Sequence, residues 1–193
     1  MPDQPWGKVP KNLEGDKDAK RKYVEKKYDE FLPKVKKLET KLASKLKTAG
    51  RKVGDIKVIT DIKRKPDLVG KVIDRNKKFK NITDFLRSTI TVPSKEDMDA
   101  VTDGLFKVFS KVYEYAPKER GAGGYGYYGA RHLLVDLDGV VVEVQLKPRK
   151  LGTYQKAAHK IYKATRGKEG EMSAKDLEKR QSKSRRIFDK GNR

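Results

Sequence analysis

The sequence predicts an α/β (α+β) domain in which a small mixed β-sheet is flanked by helices, with helical extensions at both ends. Two observations carry that class. Short runs rich in branched residues alternate with longer runs at helical spacing, in the order helices, then strands and helices mixed, then helices. Hydrophobic residues make up only 35% against 39% charged, so a compact core must carry a heavily charged surface.

Taken in order, residues 1–15 hold three prolines and two glycines and predict an irregular lead-in. Over 16–49, Tyr23, Tyr28, Leu32, Val35, Leu38, Leu42 and Leu46 recur at helical spacing before Gly50, and Pro33 predicts a break into two helices. DIKVIT (55–60) reads as a strand, PDLVGKVIDRNKKF (66–79) as a helix with proline in its first turn, and ITDFLRSTITV as a strand from about Phe85. SKEDMDAVTDGLFKVFSKV opens with Ser94 and Asp97 in an approximate capping box, and VYEYAP (112–117) is a strand. ARHLLVDLDGVVVEVQLK (130–147) predicts a hairpin turning at Asp138-Gly139. Two helices follow, at 152–167, ended by Gly167, and at 173–188.

Composition also excludes function classes. No run of about 18 apolar residues is present, so no transmembrane helix is expected. The first 18 residues lack the apolar segment of a signal peptide, and a cytoplasmic location with no membrane partner is the expectation. Without cysteine there is no disulfide, thiol nucleophile or cysteine zinc site. The net charge of +21 is uneven: residues 147–193 carry 16 Lys/Arg against 5 Asp/Glu. Such a field attracts polyanions, although a lysine-rich solvated surface has the same composition.

The chemistry-bearing residues gather around the hairpin. With a period of two, Val140, Val142, Val144 and Leu146 share one face of the second hairpin strand, and Val141, Glu143, Gln145 and Lys147 share the other. A second acid, Asp84, stands at the entry to the DFLRSTITV strand, and Lys63 and Lys71 flank or lie within the helix before it. Two carboxylates on neighbouring strands with lysines facing them are what a Mg²⁺–nucleotide site requires, since hard oxygens hold Mg²⁺ and ammonium groups hold phosphates. Residues 121–128 add four glycines and the tyrosines Tyr125, Tyr127 and Tyr128, any of which can stack on a base. Each feature has an ordinary alternative: a solvated strand acid, a turn aspartate, surface lysines, a gap-filling tyrosine. Neither a Walker phosphate loop nor a dinucleotide-binding glycine motif is present.

The segment YYGARHLLVDLDGVVVEVQLK, followed by AAHKIYK, resembles the synthetase domain of the RelA/SpoT family, the makers of the alarmone (p)ppGpp. That family's pattern runs Gly-Tyr-x-Ser-x-His, a strand pair, Glu-x-Gln-x-Arg-Thr, then a helix with His-x-x-Tyr-Lys. The spacings Tyr128–His132, His132–Glu143 and Glu143–His159 match its small single-domain members. ITDFLRSTI is similar to the family's Ile-x-Asp strand and YEYAPKERGAGGYGYYG to its Tyr-x-x-x-Pro-Lys loop. The resemblance spans roughly residues 55–165 and implies a nucleotidyltransferase-like fold. The implied organisation is a helical extension over 1–50, a synthetase domain over 51–166 and a basic helix over 167–193.

The resemblance implies Mg²⁺ held by Asp84 and Glu143, and transfer of pyrophosphate from ATP to the ribose 3′-hydroxyl of a nucleotide acceptor. Lys63 and Lys71 fall on ATP-binding positions. The family's first ATP-site arginine falls on Asp61, with Arg64 or Arg75 as substitutes. Tyr128, Lys118, His132, Gln145, Lys147 and His159 fall on the acceptor side. The departures are Tyr127 for glycine, Ala130 for serine, Lys147-Pro148 for Arg-Thr, Arg87 for glycine, Thr89 for arginine, and a loop longer by about six residues before Tyr128. They cluster where acceptor and adenine would bind, so guanine nucleotides, adenine nucleotides and the tRNA 3′ end all stand as acceptors. A non-catalytic RNA-binding protein on the same fold is the alternative from another class. No His-Asp pair of the family's hydrolase half is present, which raises the prospect of a toxin with an antitoxin or immunity partner.

Overall fold

The computed structural model describes residues 4–115, 129–165 and 168–192. Five helices and five strands are described: α1 (Lys17–Ala49), β1 (Lys57–Ile62), α2 (Lys65–Ile73), β2 (Leu86–Val92), α3 (Asp97–Val108), β3 (Val112–Tyr115), β4 (Arg131–Leu137), β5 (Val140–Pro148), α4 (Arg149–Thr165) and α5 (Ala174–Asn192). The strands form one sheet in the order β1-β2-β5-β4-β3, with β2 and β5 parallel and every other neighbouring pair antiparallel. The mixed sheet flanked by helices is the architecture expected. No described helix is long and apolar enough to cross a membrane.

The expected break at Pro33 does not occur. α1 runs unbroken for 33 residues with Pro33 inside it and exposed, because Val24, Tyr28, Val35, Leu38, Leu42 and Leu46 are buried on both sides of the proline. Packing of that stripe outweighs the lost hydrogen bond, and Asp16 caps the first turn by accepting from the Asp18 and Ala19 amides. α2 stops at Ile73, short of the expected Phe79, because Asn76 takes a left-handed φ of 48°. Phe79 then packs separately, in a short 3₁₀ turn. α3 begins at Asp97, and Ser94 and Asp97 exchange the capping bonds expected.

The hairpin turns at Asp138 (φ 53°) and Gly139 (φ 76°), the left-handed pair that matches strand twist. On β5, Val140, Val142, Val144 and Leu146 are buried and Glu143, Gln145 and Lys147 are partly exposed as the alternation predicts, whereas Val141, expected with the polar set, is buried too. The apolar face packs with α1, α2 and α3 in the main core. α4 crosses the polar face at the C-terminal end of β5 and packs on α5 through Leu151, Ala158 and Phe188.

Candidate active site

Four strands deliver the site. Register places Asp61, Arg87 and Glu143 side by side across β1, β2 and β5, and Thr89 beside Gln145 with His132 beyond it on β4. Asp84 lies just before β2, next to Glu143, since the Glu143 amide donates to the Thr83 carbonyl at 3.0 Å. Its carboxylate is only 7% exposed and accepts from Lys63 Nζ and Lys71 Nζ, both 2.8 Å from Oδ2. Lys63 is set by two backbone bonds, from its amide to Phe85 and from the Tyr28 hydroxyl to its carbonyl, and Tyr28 stacks on Phe85. Lys71 reaches across from α2.

Burial disfavours the Asp84 carboxylate, but the ammonium groups of Lys71 and Lys63 outweigh it and hold its pKa below the ordinary value. Glu143 behaves alike. Burial opposes its charge, hydrogen bonds from His132 (Nδ1 to Oε1, 3.3 Å) and Gln145 (Nε2 to Oε1, 2.7 Å) overcome that, and the neighbouring Asp84 charge only partly reverses the gain. Burial lowers the pKa of Lys147, Lys156 adds to the effect, and its ammonium donates to Gln155 of α4. His159 is half-buried on α4 with its ring 5.9 Å from that of Tyr162.

The structure therefore brings together Asp84, Glu143, Lys63, Lys71, His132 and Gln145, with Lys147 farther along the same face. Arg64 caps α2 and pairs with Asp67 at 2.8 Å, and Arg75 is exposed beyond the end of α2; the contacts described place neither at Asp84. Lys118, Tyr125, Tyr127 and Tyr128 lie outside the described residues. Sequence reasoning gave no role to Arg87, whose Nε donates to Asp61 at 2.9 Å across the β1–β2 pair. A guanidinium thus stands beside Asp61, where the family pattern led to an arginine. The pairing follows from strand register, and no spacing in the chain announces it.

Among the described residues, no three His, Asp or Glu side chains converge as a self-sufficient metal site. What is present is two adjacent carboxylates, and Asp84 Oδ1 is buried without a hydrogen bond. An orphaned anionic oxygen beside a second carboxylate fits a hard cation that completes its shell from water and substrate oxygens.

No family model matches the chain, and no curated protein does. Solved structures match over most of its length. The type VI effector Tas1, in complex with its immunity protein, superposes with a TM-score of 0.61 at 18% identity, covering 86% of this chain and 96% of that one. Small alarmone synthetase 1 from Bacillus subtilis bound to its product pppGpp gives 0.59 at 18% identity, over 85% and 94% of the two chains. A GTP pyrophosphokinase family protein from Streptococcus pneumoniae gives 0.57 at 18% identity, over 85% and 86%. The chain has the fold of the small alarmone synthetases.

Proposed function

We propose that this chain transfers pyrophosphate from ATP to the ribose 3′-hydroxyl of a nucleotide, with Mg²⁺ as cofactor. One observation carries the reading: the Asp84–Lys63–Lys71 cluster lies against the Glu143–His132–Gln145 cluster on one sheet face, in a fold shared with pyrophosphokinases. Asp84 and Glu143 would hold Mg²⁺, which when bound would orient the ATP phosphates and neutralise their charge. Lys63 and Lys71, freed from Asp84 as phosphate enters, bind the polyphosphate as point charges. Arg87, at the ATP side of the same row, adds a planar donor.

In the transfer, the acceptor 3′-oxygen bonds to the β-phosphorus, the bond from that phosphorus to the α,β-bridging oxygen breaks, and AMP leaves. Glu143 accepts a hydrogen bond from the 3′-hydroxyl and passes its proton to solvent as the new oxygen–phosphorus bond forms. Held ionised by His132 and Gln145, it is a weak base and a good orienting acceptor, so positioning supplies most of its effect. His132, Gln145 and Lys147 lie on the side away from Lys63 and Lys71 and would take the acceptor, and the resemblance adds His159, Tyr128 and Lys118 to its binding.

Incubation with ATP labelled in its γ-phosphate and with GDP, GTP, ADP, AMP or tRNA tests the assignment. Label in a nucleotide carrying two more phosphates than its acceptor (three from AMP, four from GDP or ADP, five from GTP), lost in Asp84→Asn and Glu143→Gln, is expected. Label only in tRNA would move the acceptor to the tRNA 3′ end. No transfer to any acceptor would overturn the proposal.

A further inference from the structure

The predicted irregular lead-in contains two deeply buried residues, Gln4 at 3% and Trp6 at 2% exposure, and their side chains bond to backbone on either side of the candidate active site, at Val141 and Phe79. β5 begins at Val140, but its ladder with β2 begins only at the Arg87–Glu143 pair, so the first rungs of β5 extend past its neighbour. Glu143 donates its amide to Thr83, four residues before its register partner, so Asp84 to Leu86 bulge away from β5 while Leu86 stays paired with Ile62 of β1. The bulge carries Asp84 toward Lys63 and Lys71. It also leaves the Val141 amide and carbonyl facing an empty rung.

Gln4 fills that rung with its side chain. Its Nε2 donates to the Val141 carbonyl at 3.0 Å, and its Oε1 accepts from the Val141 amide at 3.2 Å. A carboxamide offers one donor side and one acceptor, as a peptide group does, so it substitutes for a strand residue. The Gln4 backbone amide donates to the Lys80 carbonyl at 3.1 Å. Trp6 donates its indole N–H to the Phe79 carbonyl at 2.9 Å and packs edge-on against Phe85, centroids 5.4 Å apart. One strap is thus bonded to the segment bearing Asp84 and, two residues from Glu143, to the strand bearing the second carboxylate.

We propose that Gln4, anchored by Trp6, is a positioning residue that sets the separation of Asp84 and Glu143; its catalytic consequence rests on the function proposed above. Gln4 acts through the backbone of Val141 and Lys80. Glutamate would lack the donor to Val141, and asparagine, one methylene shorter, would not span both groups.

The test uses the full chain with Gln4→Asn and Trp6→Phe. Amide exchange is read residue by residue, and the Mg²⁺ concentration giving half-maximal ATP turnover is measured. In both variants the Val141 and Glu143 amides are expected to exchange faster while those of β3 and β4 keep the parent rates. Half-saturating Mg²⁺ should rise roughly tenfold, as for loss of a group that orients a metal ligand. Unchanged Val141 and Glu143 exchange, an unchanged Mg²⁺ requirement, or uniform acceleration across the sheet would overturn the proposal. Should Gln4→Asn fail to fold, Trp6→Phe decides on the same readouts. A parent chain that transfers no pyrophosphate refutes the function proposed above, and the exchange rates still decide whether the strap couples the two segments.

Discussion

Asp84 accepts two ammonium groups on one buried oxygen, which makes it the most charge-dependent residue of the core's edge. Asp84→Asn preserves shape but leaves Lys63 and Lys71, 12% and 24% exposed, facing each other without a counter-charge. The unfolding free energy should fall by about 2 kcal/mol at neutral pH, less than for a fully buried pair because Lys71 reaches water. The sign with pH follows from the depressed carboxyl. Its contribution is full above the unfolded-chain value of about 3.9 and is lost as pH falls through the lower folded value. Urea midpoints measured from pH 7 down to 3 should therefore converge between parent and variant at the acid end; a constant gap would contradict the ion-pair account. Glu143→Gln should also lower stability at neutral pH, because a carboxyl held below its ordinary value stabilises the fold when ionised, and should lower the transfer rate about 10³-fold in a single-turnover assay.

At the scale of elements, two backbone details make opposite predictions. Gly104 sits inside α3, where alanine is the better helix former by about 1 kcal/mol. An added Cβ there would lie 2.0 Å from the Ala49 carbonyl at the end of α1, an atom that cannot move aside. The clash wins, and Gly104→Ala should lower stability by about 2 kcal/mol or more despite its propensity. Pro33 is the reverse case. It is exposed, and alanine would restore a helix hydrogen bond, so Pro33→Ala should raise the thermal midpoint by an amount worth about 1 kcal/mol. Calorimetry on the two variants checks both signs. These positions also show where the sequence was legible. The alternation of β5 and the Asp138-Gly139 turn are local signals, and they placed Glu143 and Gln145 on the polar face correctly. The continuity of α1, the Arg87–Asp61 pair and the seat of Gln4 depend on partners distant in the chain, so no local period encodes them. The position of Asp84 at the entry to β2 is legible in the sequence, but its bulge is not, because a bulge is a statement about two strands.

Across the whole molecule, the charge of +21 acts on a core in two unequal parts. Sheet, α1, α2 and α3 share one large apolar cluster, and α4 and α5 are joined by a small one centred on Leu151, Ala158 and Phe188. That small cluster holds together two basic helices. Lys175, Lys179, Arg180, Lys183, Arg186 and Lys190 are exposed on α5, and Lys150, Lys156, Lys160 and Lys163 on α4. Like charges oppose the packing through solvent, where salt screens them, whereas the apolar contacts are nearly indifferent to modest salt. Raising ionic strength from about 0.02 to about 0.2 M shortens the screening length from roughly 20 to roughly 7 Å and should slow α5 amide exchange far more than exchange in β2 or β5. Phe188→Ala should remove protection in α5 and weaken it in α4 while the sheet keeps its own, since the lost contacts belong to the small cluster. Equal responses in helix and sheet would show that the two clusters unfold as one unit. Because α4 carries Gln155 against Lys147, separate opening of the helix pair would loosen the proposed acceptor side while Asp84, Lys63 and Lys71 stayed in place. Phe188→Ala should then raise the KM for the acceptor nucleotide with the KM for ATP unchanged.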